Sequence, residues 1–195
     1  SLVPVISAID SGGLHTSEVY QFAREKVAQG VIAIKGQSQP NKPAIGRPTR
    51  VDINFRKANK AIKKGGLVYP LGVDTIKNTL MGRLKNNKIG SNGYIHFHAS
   101  TNEEYFKQIT AERQILKTTK TGFQVPVWVK KATTRNECLD TWVYSYAAMC
   151  FYISRFNRNT VWEQLEKQFN EPSNVDKPKR ATIRTKSKKD FVNFW

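Results

Sequence analysis

The sequence predicts an α/β sandwich, and three observations carry that expectation. Short apolar runs recur at Leu2–Ile9, Val31–Lys35 and Gly66–Val73, each bounded by glycine or aspartate. Between and after them lie segments with helical spacing, so strands and helices alternate along the chain. Hydrophobic residues make up 39% of the 195 positions and aromatic residues 11%, enough to fill a core.

In order, LVPVISAI reads as a first strand, with Pro4 tolerated near its start or on an edge. Thr16–Ala28 follows as a helix, capped by Thr16 or Ser17, with Val19, Phe22, Ala23 and Val27 as its apolar stripe and Gly30 as its stop. VIAIK at 31–35 is a short buried strand. Gly36–Arg50, with three prolines and two glycines, reads as a mobile loop, and Lys57–Lys64 as an exposed basic insert. GLVYPLGV is a third strand arriving at Asp74, and Thr75–Asn86 a helix with Ile76, Leu80 and Leu84 on one face. Tyr94–His98 alternates as a half-buried strand, and Asn102–Ile109 is a short helix. Ile115–Leu116 and Phe123–Lys130 suggest a hairpin with an edge strand at Pro126. Asn136–Ser154 is the longest apolar helix, and Val161–Phe169 is amphipathic. The expected organisation is a folded domain over 1–154, then over 155–195 a C-terminal helix with a basic tail disordered at 171–190.

Charge is the dominant compositional feature. Thirty-two Lys and Arg against 15 Asp and Glu give +17, of which residues 155–195 hold only +5. The folded body itself therefore faces a polyanion, and nucleic acid is the expected partner. No run of 18 apolar residues is present, so no bilayer span is expected. Cys138 and Cys150 lie on one helix at no zinc spacing and read as two buried thiols. No G-x-x-x-x-G-K-[ST] loop occurs, which excludes P-loop ATP binding by these residues, and no serine-nucleophile elbow occurs either.

In such a basic chain a carboxylate at a strand end stands out. Asp10 closes the first strand, in AIDSGG, and Asp74 follows the third. Asp140 lies in the first turns of the long helix, three residues after Glu137, so both can point to one side. Strand-end carboxylates of an α/β sheet can meet at one edge, and a helix packed across it can deliver a third. Oxygen ligands of this kind select Mg²⁺ or Mn²⁺, and a two-ion site can hydrolyse a phosphodiester. The alternative is that each aspartate caps its own turn or helix, and Asp74 before Thr75–Asn86 is well placed for that. Lys57, Lys60, Lys63 and Lys64, with Arg47, Arg50, Arg56 and Lys35, are candidate phosphate contacts or a solvated charged face. His96 and His98 share a strand face, read as a polar face or phosphate contact, and His15 follows Asp10 closely. Trp142, Tyr144, Tyr146, Phe151 and Tyr152 read as core packing of the long helix, with base stacking the alternative.

The segments AIDSGGLHTSEVYQFAR, VIAIKG, LGVDTIKNTLMGRL, GYIHFH, YFKQITAE and RNECLDTWVYSYAA, in this order over roughly 3–152, resemble the nuclease region of lambda-like phage terminase large subunits. The resemblance implies an RNase H/integrase-like mixed sheet flanked by helices, and a metal-dependent endonuclease that cuts concatemeric phage DNA, leaving 3′-hydroxyl and 5′-phosphate ends. It implies Asp10, Asp74 and Asp140 as ligands of two Mg²⁺ or Mn²⁺ ions, with Glu137 as a catalytic neighbour and Lys77 stabilising phosphorane charge. It also implies double-stranded DNA, an upstream ATPase domain of the same polypeptide, the small terminase subunit and the portal as partners, in the cytoplasm of a bacterial host. The isolated domain is expected to be a monomer. An RNase H-like sheet opens with a three-strand meander, whereas here a helix is expected straight after strand one. A non-catalytic basic DNA-binding or assembly module, or a junction resolvase on the same fold, remains the alternative reading.

Overall fold

The computed structural model describes residues 4–55 and 60–170, and the side chains of Arg56, Lys57 and Lys60 and the 171–195 tail lie outside that description. A four-stranded sheet runs in the order β1-β2-β4-β3, built from β1 (Ser7–Asp10), β2 (Val31–Gln37), β3 (Thr49–Phe55) and β4 (Lys60–Gly72). β1, β2 and β4 are parallel and β3 is antiparallel to β4. β1 pairs from Ser7 onward, three residues after Pro4, and Leu2 and Val3 of its apolar run lie outside the described residues.

β2 shows why its run is apolar without alternation. Ile32 and Ile34 face a core completed by Tyr69, Leu71, Ile76, Leu80, Leu139, Val143 and Ala147. Ala33 faces the opposite layer, with Tyr20, Ala23, Ile53 and Val68. The sheet is therefore buried on both faces, as parallel sheets require. α1 (Thr16–Glu25) covers one face; α2 (Val73–Leu84) and α4 (Glu137–Ile153) cover the other. α3 (Glu103–Ile109) and α5 (Val161–Asn170) complete the helices, and β5 (Glu112–Thr118) with β6 (Gln124–Lys130) forms a separate two-stranded ribbon.

Several expectations are corrected. α1 ends at Glu25 and a 3₁₀ turn, Val27–Gln29, continues to Gly30, whose φ of 81° a side chain would strain. His15, not Thr16 or Ser17, takes the N-cap position, because the Thr16 hydroxyl donates instead to the carbonyls of Ser11 and Gly13. The helix buries Tyr20 and Ala23 and leaves Phe22 45% exposed. The Pro/Gly-rich segment after β2 is not loose: Ala44 and Ile45 are buried, Gly46 N–H donates to Pro70 O at 2.7 Å, and Gly72 N–H donates to Pro43 O at 3.0 Å. β3 begins at the end of the expected loop, at Thr49, and continues through residues 51–55, for which no element was expected. Its RVDINF segment alternates, with Ile53 fully buried and Asp52 and Asn54 exposed. Tyr94–His98 is irregular rather than a strand: it pairs with no strand among the described residues, and Phe97 packs instead against Phe106 and Trp142 at ring-centroid distances of 5.0 and 6.2 Å. His96 and His98 are exposed there, and His98 Nδ1 bonds Ser100 Oγ at 2.7 Å. Cys150 is buried, with its thiol pushed up to about 11 chiefly by burial, whereas Cys138 is only half-buried.

The ribbon, α3, α4 and α5 match their expected positions closely, as does the absence of a meander after β1. The result is a mixed sheet flanked by helices. Among the described residues no helix is long and apolar enough to cross a membrane.

Candidate active site

Because β1, β2 and β4 run in parallel, their carboxyl ends share one edge of the sheet. Asp10 is the last residue of β1, level with Ile34 of β2, which is level in turn with Tyr69 of β4. Asp74 stands in the first turn of α2, two residues beyond the end of β4. Gly72 makes this exit feasible: a Cβ there would lie 2.6 Å from the Pro43 carbonyl. The N-cap of α2 is Gly72 without a side-chain cap bond, so Asp74 does not cap its helix. Asp10 does serve its turn with one oxygen, accepting Gly12 N–H on Oδ1 at 3.0 Å.

α4 packs its amino-terminal half beside β1 and brings Asp140 to the same edge. One turn further along α4, Tyr144 has its hydroxyl pKa raised by burial and then by the charges of Asp10 and Asp140. Asp10, Asp140 and Tyr144 therefore share one electrostatic neighbourhood.

A residue that the sequence reading left out completes the edge. Glu112, the first residue of β5, accepts from Lys77 Nζ on Oε2 at 2.7 Å, with the two side chains only 7% and 8% exposed. Its other oxygen, Oε1, accepts from Asn136 Nδ2 at 2.8 Å. The same Asn136 nitrogen reaches Asp140 Oδ2 at 3.3 Å. A hydrogen-bonded chain thus runs Lys77–Glu112–Asn136–Asp140, from α2 through the ribbon base to α4. Glu112 is the sole acidic residue between Glu104 and Glu137, a lone carboxylate in a basic stretch. That is the signal that singled out Asp10, and it would have found Glu112 too.

Electrostatics ties the parts together. Asp74 has a raised carboxyl pKa, chiefly from burial, with Lys77 pulling it down and Glu112 pushing it up. Asp140 is also raised, by burial first, against Lys77, with Glu112, Asp10 and Glu137 adding to the rise. The edge thus holds carboxylates that resist ionisation, with a buried ammonium as internal counter-charge. Among the described residues, no group of three or more His, Cys, Asp or Glu side chains is arranged to hold a metal ion.

Glu137 stands apart. Its side chain is 61% exposed and pairs with Arg135 at 3.2 Å; the bond to its own backbone N–H first, and then Arg135, hold its carboxyl below the usual range. The hydrogen-bond partner of Asp140 is Asn136, and Glu137 reaches Asp140 only through its charge. Of the basic candidates, Lys35 is exposed near the carboxyl end of β2, next in sequence to the residue level with Asp10. Arg50, also exposed, pairs across to Leu67. Arg47 lies next to Gly46, beside Pro70. Exposed Lys63 and Lys64 sit in the first part of β4, six and five residues before Tyr69, the β4 residue level with Asp10, which at ~3.3 Å per residue puts them roughly 16–20 Å back along the strand.

Two kinds of comparison place this arrangement. Residues 1–162 match the family model described as "Terminase large subunit gpA, endonuclease domain". The terminase large subunit of Escherichia phage lambda is 33% identical over 155 residues, covering 75% of this chain and 22% of the relative. The terminase large subunit of Enterobacteria phage P21 is 27% identical over 155 residues, with the same coverage. The chain thus spans about a fifth of the length of these relatives. No solved structure gives a significant match. With the family model covering the whole sheet, the ribbon and α4, the chain belongs to the endonuclease-domain family of terminase large subunits.

Proposed function

We propose that this chain is a metal-dependent endodeoxyribonuclease domain that cuts concatemeric viral DNA during genome packaging, hydrolysing a phosphodiester at a two-ion site on the carboxylate edge. The observation that supports this best is the gathering of Asp10, Asp74 and Asp140 at one sheet edge, with Asp140 joined to the buried Lys77 through Asn136 and Glu112.

The donor set suits a hard divalent cation. The ligating side chains at the edge offer carboxylate oxygen, and Asp74 and Asp140 carry charge that burial disfavours and a dication would offset. Asp10, Asp74 and Asp140 would hold Mg²⁺ or Mn²⁺, because Glu112 has both oxygens occupied by Lys77 and Asn136. When bound, such ions supply an acidified water and a clamp on the developing charge of the phosphate. The chain's own residues do the positioning. Asn136 fixes one oxygen of Asp140, the Gly12 N–H fixes one oxygen of Asp10, and Lys77 keeps a fixed positive charge beside the edge. The RNase H/integrase-like relationship belongs to the same proposal. It rests on the strand-end placement of the carboxylates rather than on strand order.

The wider assignment follows the relatives, whose printed names are those of terminase large subunits. An upstream ATPase domain of the same polypeptide would move the DNA; the small subunit and portal would be its partners, in a packaging complex in the host cytoplasm. One observation favours a second reading, a DNA-binding module without cleavage: Lys77 already neutralises Glu112, and no three ligating groups converge among the described residues.

Supercoiled plasmid incubated with the chain in Mn²⁺, Mg²⁺ or EDTA, beside Asp10→Asn and Asp140→Asn, separates the two. The endonuclease reading expects nicking that needs the metal and disappears in both variants. Binding without nicking in every condition would leave the binding module.

A further inference from the structure

We infer that the β5–β6 ribbon is a DNA-binding arm that grips the same duplex whose phosphodiester is presented to the carboxylate edge, which rests on the endonuclease reading above. The ribbon starts at the site: Glu112, bound to Lys77, is its first residue and pairs across to Lys130. Gln114 Nε2 then donates to Asn78 Oδ1 at 3.0 Å, fastening the base of the ribbon to α2 one turn beyond Asp74. From there the two strands extend with seven residues in register, roughly 20 Å at ~3.3 Å per residue. The tip is closed by Thr119 N–H donating to Phe123 O at 2.7 Å and by Gly122 at φ 85°.

The charge along it is of one sign. Residues 113–136 contain six Lys and Arg and no acidic residue. Arg113, Lys117, Lys120 and Lys131 are exposed and form no ion pair among the described residues. Arg113 and Lys117 alternate onto the face opposite Glu112 and Gln114, away from α2, and Lys120 stands at the tip. Leu116 and Phe123 are 66% and 72% exposed, and neither joins a core cluster among the described residues. A two-stranded ribbon fits the B-DNA major groove, about 12 Å wide, with cations on the flanking phosphates and apolar side chains against thymine methyls. The DNA contacts expected from the sequence include Lys35 near the edge and Lys63 and Lys64 further back on β4, and the ribbon adds a second basic surface to them.

The test is binding of the 195-residue chain to a 30-base-pair duplex in EDTA, across a salt series, with Lys117→Ala/Lys120→Ala against the parent. Each lost phosphate contact removes about 0.9 from the slope of log K against log salt, so the double variant should lose about 1.8. Lys117→Arg/Lys120→Arg should restore the slope, and Lys107→Ala, a surface cation already paired with Glu103, should not change it. A parental slope in the double alanine variant overturns the inference. So does a loss of slope confined to Lys63→Ala/Lys64→Ala, or a ribbon-dependent dimer formed without DNA while the slope stays parental. Binding in EDTA is independent of cleavage. A chain that never nicks yet loses slope with the ribbon lysines would sink the endonuclease reading and leave the arm standing.

Discussion

Lys77 Nζ lies 2.7 Å from Glu112 Oε2, and both side chains are less than a tenth exposed although 35 residues separate them in sequence. Removing one partner of a buried ion pair strands the other charge, at a cost of about 3–5 kcal/mol, whereas replacing both with apolar groups is often close to neutral. Lys77→Met should therefore lower stability by about 3–5 kcal/mol in urea denaturation, and Lys77→Met/Glu112→Leu should recover most of it. A double variant no more stable than the single one would show that Glu112 is held by Asn136 rather than by Lys77.

Asp140 has its carboxyl raised above the ordinary 3.8 by burial first, then by Glu112, Asp10 and Glu137, against Lys77. A group that binds its proton more tightly when folded lends stability at low pH and loses it as pH rises through the folded value. Asp140→Asn should thus melt higher than the parent at pH 7, and the gain should vanish as pH falls below about 4, the unfolded range. Mg²⁺ should raise the melting temperature of the parent more than that of the variant. Thermal melts at both pH values with and without Mg²⁺ decide it.

Asn136 joins Glu112 to Asp140 through one amide nitrogen. Losing a group that orients a ligand typically costs about 10–100-fold in activity or metal affinity. Asn136→Ala should reduce plasmid nicking by about that factor while far-UV circular dichroism stays parental. Retention of full activity would remove Asn136 from the positioning chain.

Glu137 is the control. Exposed and paired with Arg135, it should tolerate Glu137→Gln with a parental melting temperature and near-parental nicking. Strong loss of nicking would return Glu137 to the site.

Gly72 is where β4 hands over to Asp74, with the Pro43 carbonyl 2.6 Å from the place of a Cβ. Gly72→Ala should cost about 1–3 kcal/mol as the backbones are forced apart, read from a shifted urea midpoint at unchanged slope.

Much of the frame was legible because its signals are local. The unbroken VIAI run declares a strand buried on two faces, and the structure places Ile32 and Ile34 on one side and Ala33 on the other. The length and apolarity of residues 136–154 declare α4. An apolar run ending on Asp10, and another on Gly72 before Asp74, put two carboxylates at the same edge once the strands are parallel. β3 was hidden because prolines on its approach suggested a loop, while RVDINF is too short for its alternation to stand out without its partner β4.

What the sequence determined by itself was the alternation of strands and helices, the basic body and the strand-end aspartates, since each depends on periodicity or composition within a few turns. Tertiary structure alone decided the membership of the edge. Glu112 enters because the ribbon docks its first residue between α2 and α4, forming bonds that span 35 and 24 residues, while Glu137 is exposed and paired with Arg135. Such contacts are set by how elements pack, and no local pattern records them.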